Sequence, residues 1–115
     1  MKKVCVLIVL SLPFVLEFCS SSKKAMAAKE PAKITYNANV QPTMLANCSP
    51  CHMPPKGFKK PYDNYVAVKS DIDDIITRIK ENPSEPGFMP FKHPKLPDST
   101  IQVYVQWKKD GLLEK

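Results

Sequence analysis

The sequence predicts an all-α fold, a single small domain of short helices joined by proline-rich loops. Three observations predict it. Ile72, Ile75, Ile76 and Ile79 recur at i, i+3, i+4 and i+7, the spacing of one helical face. The chain holds twelve prolines but three glycines, and most of the prolines fall in two runs between apolar segments, which breaks the chain into short elements without the bias of a disordered or collagen-like sequence. The C-terminal segment has an acidic start at Asp98, Lys108 and Lys109 in its last turn and Gly111 just beyond, the start and stop signals of a helix. Its Ile, Val and Tyr content would also suit a strand, but the end signals favour helix.

Before the first helix comes a leader. Lys2 and Lys3 precede an apolar run from Val4 to Leu16, broken by Ser11 and Pro13, which is the charged start and short apolar stretch of a secretory signal. A membrane span needs about 20 apolar residues, so this run is short for one. Two exits can be read. Leu16-Glu17-Phe18-Cys19-Ser20 resembles a loose lipoprotein box that makes residues 1–18 the signal and Cys19 a lipidated first residue; Ala25-Met26-Ala27 is a small-x-small site for ordinary cleavage after Ala27. The expectation is an exported, periplasmic, membrane-anchored lipoprotein, with a soluble periplasmic protein as the alternative. Residues 19–33 lack a face to bury and read as a flexible linker or lipid tether, and the folded domain is expected over 34–115.

The first helix is expected over about Asn39 to Asn47, capped by Asn37 or Asn39, with Pro42 in its first turn and Val40, Met44 and Leu45 on its apolar side. Pro50, Pro54, Pro55, Pro61 and Gly57 then impose a loop as far as Tyr62, followed by a short helix from about Asp63 to Lys69. Ser70 and Asp73 have the spacing of a capping box for the isoleucine helix, which Pro83 ends. Pro83, Pro86, Gly87, Pro90, Pro94 and Pro97 make 82–97 a loop that must wrap something. The last helix starts at a cap near Asp98 or Ser99 and carries Ile101, Tyr104, Val105 and Trp107, with Gly111 as the residue that ends it.

One motif carries chemistry. Cys48-Ser49-Pro50-Cys51-His52 is the Cys-x-x-Cys-His pattern of covalent haem attachment. On a helical turn, positions i, i+3 and i+4 share a face, so two thiols can form thioethers while His52 turns its imidazole to the iron. Three other readings compete. A thiol–disulfide redox pair lacks the strand-to-helix setting such sites use, and a zinc set of Cys48, Cys51, His52 and His93 departs from the usual finger spacing. A disulfide across two residues would close too small a loop to constrain the chain.

The span from about Ile34 to Lys115 resembles a single class I cytochrome c domain. The residues that carry the resemblance are a helix running into Cys48-Ser49-Pro50-Cys51-His52, a middle helix, a proline-rich loop with Phe88-Met89-Pro90, and a C-terminal helix containing Trp107. The resemblance implies a cytochrome c-like helical domain wrapped around one covalently attached haem c, held by Cys48 and Cys51. It also implies His52 on the proximal side of the iron and Met89 on the distal side, with His93 the alternative distal ligand. Met53 adjoins His52 and cannot reach the other face, and Met44 is expected in the core. Phe58, Phe88, Phe91 and Trp107 are candidate pocket walls. A proline carbonyl holds the second nitrogen of the histidine in the family, so Pro54 or Pro55 is expected to do so here.

A His–Met pair raises the haem potential and leaves no open coordination position, which suits electron transfer rather than bond-breaking chemistry. The expected function is therefore an electron carrier between periplasmic or membrane redox partners, and not an enzyme. A five-coordinate haem protein that binds a gas or peroxide is the alternative, as is a haem subunit of a larger respiratory or dehydrogenase complex. The formal net charge of +6 stays basic once Lys2, Lys3 and Glu17 are set aside with the leader. Lys56, Lys59 and Lys60 could steer an acidic redox partner. The lysines do not form the aromatic-interleaved basic stripe of a nucleic-acid binder, so no nucleic-acid partner is expected. A monomer, or one subunit of a respiratory complex, is expected.

Overall fold

A computed structural model describes residues 31–115, so the leader, Cys19 and the two signal exits lie outside the described residues. The described part is all-α. A π-helical turn, Tyr36–Val40, runs directly into α1 (Gln41–Cys48); α2 (Tyr65–Ser70) and α3 (Ile72–Lys80) follow in close succession, and α4 (Asp98–Lys109) closes the chain. Among the described residues there is no strand, only an isolated parallel bridge between Thr35 and Leu113. No helix among them is long and apolar enough to cross a membrane.

The first helical stretch starts earlier than expected. Thr35, in extended conformation, is the N-cap and its hydroxyl accepts the Ala38 N–H, while Asn39 turns its side chain back to accept the Thr35 N–H. Together they satisfy donors the first turn leaves free, a task expected of Asn37 or Asn39 alone. Val40 and Met44 are buried as expected, but Leu45 is exposed. Asn64 caps α2 by accepting the Ala67 N–H.

The Ser70–Asp73 capping box does not form. Ser70 is the last residue of α2 and donates its hydroxyl to the Ala67 carbonyl, so the hydroxyl is already engaged when α3 begins after Asp71. On α3, Ile72, Ile75 and Ile79 are buried and Ile76 packs against the same core. The N-cap of α4 is Pro97, not Asp98 or Ser99, and it makes no side-chain bond. Gly111, in left-handed conformation at φ 94°, ends α4 as expected. The Leu112 N–H returns to the Trp107 carbonyl and the Gly111 N–H to Lys108, the paired bonds of a Schellman ending.

The core joins the two ends of the domain. Tyr36, Val40 and Met44 pack with Val68, the α3 isoleucines, and Ile101, Tyr104 and Trp107 of α4. The Leu113 carbonyl accepts two bonds, from the Tyr36 N–H at 2.8 Å and from the Trp107 indole N–H at 2.8 Å. The Tyr65 hydroxyl donates to the neighbouring Leu112 carbonyl. This clamp fixes the start of the stretch whose far end, Cys48, opens the functional site.

Candidate functional site

The regular helix stops at Cys48. Pro50 disfavours helical backbone at the residue before it, and Ser49 accordingly adopts φ −78°, ψ 153°. Cys48 therefore closes α1, and the rest of the motif lies on turns past the helix end and not on a continuing helix as the spacing predicts. The chain still curls back, because the His52 N–H reaches the Cys48 carbonyl at 3.0 Å and the Met53 N–H reaches Pro50 at 3.2 Å. Gly57 lies hard against this turn. A Cβ there would come within 2.7 Å of the Cys51 carbonyl oxygen and 2.8 Å of the Met53 nitrogen, so only glycine lets the two limbs of the loop approach.

Cys48, Cys51, His52, Met89 and His93 all line one cavity of about 680 Å³, within the roughly 300–1,000 Å³ typical of small-molecule and cofactor sites. Its apolar wall includes Ile75 and Ile79 from α3, and Leu96, Pro90 and Phe91 from the second proline loop. Phe58 joins it from the first loop. Phe58 and Phe91 line the cavity yet remain exposed, at 75% and 66%. Phe88 and Trp107, expected as walls, are not part of the lining: Trp107 is fully buried in the core between the chain ends, where its indole N–H is already satisfied. Lys59 and Lys60 reach the cavity and Lys56 does not.

The two thiols are unpaired. Burial pushes the Cys48 thiol up to about 11, so it is a neutral thiol at neutral pH. Thiol–disulfide exchange works through an attacking thiolate, and the upward shift at Cys48 runs against that role for this thiol. Among the described residues no group of three or more His, Cys, Asp or Glu side chains is placed to hold a metal ion by itself.

His52 is held by the chain just downstream. Its Nδ1 is 2.7 Å from the Lys60 carbonyl, and a carbonyl can only accept, so Nδ1 donates and, in the neutral ring, Nε2 keeps its lone pair. The acceptor is Lys60, not Pro54 or Pro55; the turn closed by the Gly57 N–H on the Met53 carbonyl carries those prolines past the ring and returns the later residues beside it. The Tyr62 ring stacks on the imidazole with centroids 4.8 Å apart, and the Tyr62 N–H donates to the His52 carbonyl.

Met89 is half-buried and packs against the core, and its N–H donates to the Arg78 carbonyl at 3.1 Å. The Arg78 guanidinium donates to the Gly87 carbonyl from one nitrogen and to Asp74 from another. One residue of α3 thus grips the second loop on both sides of Phe88. His93 lines the same cavity but is exposed. Sequence reasoning missed Arg78 and Tyr62, since an arginine on a solvated face and a tyrosine after a loop carry no distinguishing pattern. Comparisons with protein-family models, with curated proteins and with solved structures find no match to this chain.

Proposed function

We propose that this chain is an exported, single-haem c-type cytochrome, a carrier of electrons and not an enzyme. The observation that carries the reading is the convergence of Cys48, Cys51, His52 and Met89, spread over the end of α1 and two separate loops, on one largely apolar cavity. Three features support a haem there. The cavity has the size and the aliphatic and aromatic lining that a flat apolar macrocycle requires. Both thiols are free to be alkylated. The tautomer of His52 leaves Nε2 as a metal donor, with its second nitrogen tied to a backbone carbonyl as metal-bound histidines commonly are.

In this reading Cys48 and Cys51 anchor haem c through thioethers, His52 is the proximal ligand and Met89 the distal one, with His93 the alternative. When bound, the group supplies a one-electron Fe3+/Fe2+ couple. Cys48 and Cys51 keep it from dissociating, Lys60 and Tyr62 fix the imidazole, and the Arg78 carbonyl holds the backbone from which the Met89 thioether projects. Ile75, Ile79 and Leu96 exclude water from the walls. Phe58 and Phe91, with Lys59 and Lys92 beside them, form the edge at which an acidic redox partner would dock. The leader makes the protein periplasmic, membrane-anchored through lipidated Cys19 or soluble after cleavage at Ala27.

The test is the mass and pigment of the matured protein. Wild type is expected to keep haem through acid-acetone extraction, and Cys48→Ala combined with Cys51→Ala to lose it; a colourless mature protein would sink the reading. Rapid carbon monoxide binding by the reduced wild type would replace the carrier with the five-coordinate, gas- or peroxide-binding alternative. A stable stoichiometric partner on purification would make the chain a subunit of a larger complex.

A further inference from the structure

His52 is gripped in three ways by two residues, Lys60 and Tyr62: the Lys60 carbonyl accepts from Nδ1, the Tyr62 ring stacks on the imidazole, and the Tyr62 N–H holds the His52 carbonyl. The side chains of both residues end on a single atom. Oδ2 of Asp71 pairs with the Lys60 ammonium and accepts the Tyr62 hydroxyl at 3.0 Å. Asp71 is itself pinned at the junction of α2 and α3, where its N–H bonds the Val68 carbonyl and its own carbonyl accepts the Ile75 N–H. It does not touch the imidazole, and it lies far from the motif in sequence.

We propose that Asp71 is a positioning residue for His52, fixing the imidazole by holding Lys60 and Tyr62 together on one carboxylate oxygen. The proposal rests on His52 being the proximal iron ligand and adds to that reading the source of the ring's orientation. Tying both side chains to a rigid interhelical corner holds the Lys60 carbonyl at hydrogen-bond distance and keeps the stacked ring from drifting. A firm Nδ1–H bond makes the imidazole a stronger donor to ferric iron, which lowers the potential. Lys60 and Tyr62 also keep the Asp71 carboxyl below its ordinary value, so it is ionised and acts as an acceptor at neutral pH.

The experiment compares wild type, Asp71→Asn and Tyr62→Phe as purified mature proteins, with imidazole nitrogens labelled for NMR. Tyr62→Phe cuts the bond to Asp71 without changing charge and preserves the stacked ring. The expected result is solvent exchange of the His52 Nδ1 proton about tenfold faster in Asp71→Asn, faster also in Tyr62→Phe, and a raised reduction potential in both. An exchange rate equal to wild type in both variants would overturn the proposal, even if Asp71→Asn raised the potential, because loss of a nearby negative charge alone does that. A lowered unfolding midpoint with both His52 readouts unchanged would overturn it too, leaving Asp71 merely structural. If wild type carries no covalent haem, the haem reading falls, while the exchange comparison on the same samples still decides whether Asp71 orients His52.

Discussion

Truncating Trp107 tests whether the junction of the chain ends carries the fold. The side chain is 0% exposed, lies 5.9 Å from the Tyr36 ring and 6.2 Å from the Tyr65 ring, and donates to the Leu113 carbonyl at 2.8 Å. Replacing a buried aromatic of this size by alanine costs ~3–5 kcal/mol. Domains of this length are stable by roughly 4–13 kcal/mol at ~0.05–0.15 kcal/mol per residue, so Trp107→Ala removes a large fraction of the total. At ~4–8 °C per kcal/mol the melting temperature falls by at least about 12 °C. Trp107→Phe keeps most of the packing but loses the indole N–H, and its cost is expected nearer ~1–2 kcal/mol, mostly the unmade bond. The assay is guanidinium unfolding followed by far-ultraviolet circular dichroism, on samples of parent and variants matched for any bound pigment. A Trp107→Ala unfolding free energy within ~1 kcal/mol of the parent would refute the reasoning.

Other outcomes are expected from the same contacts. Met89→Ala should lower the reduction potential and admit carbon monoxide to the reduced protein, since a thioether opposite histidine raises the potential; spectroelectrochemistry showing an unchanged potential removes Met89 from the role. Gly57→Ala forces a methyl group against the Cys51 and Met53 backbone, at a cost of ~1–3 kcal/mol, and mass spectrometry should find a smaller haem-bearing fraction in the mature protein. Asp110 accepts the Ile34 N–H and the Gln106 amide, which hold its carboxyl below its ordinary value of 3.8. A depressed carboxylate contributes stability above that value and loses it as pH falls through the lower, folded value. The unfolding midpoint of wild type should therefore drop more steeply on acidification than that of Asp110→Asn; parallel pH curves would show that the carboxylate contributes nothing.

Periodicity and punctuation placed most of the helices because they act locally. The isoleucine spacing of α3 and the glycine stop of α4 needed no partner to be read. Caps were less legible, because several side chains can reach the same orphan N–H groups and tertiary contacts select among them. Thr35 was chosen over Asn37, and Ser70 spent its hydroxyl on Ala67 rather than on the next helix. Aromatic residues were ambiguous for the same reason. Nothing in Phe58, Phe88, Phe91 or Trp107 says which joins the cavity and which the core, because that depends on where each loop lies over α3.

For the site, the haem proposal starts from the spacing of Cys48, Cys51 and His52, since thioether and imidazole chemistry needs those groups within one turn of chain. Which residues hold them could not be read there. The Lys60 carbonyl that accepts the His52 Nδ1–H bond, the Asp71 oxygen that gathers Lys60 and Tyr62, and the Arg78 carbonyl that accepts the Met89 N–H are set by the folding of two proline loops against one helix. Backbone acceptors are common to every residue and leave no mark in composition or period. They acquire a role only once the chain has brought them within about 3 Å of a donor.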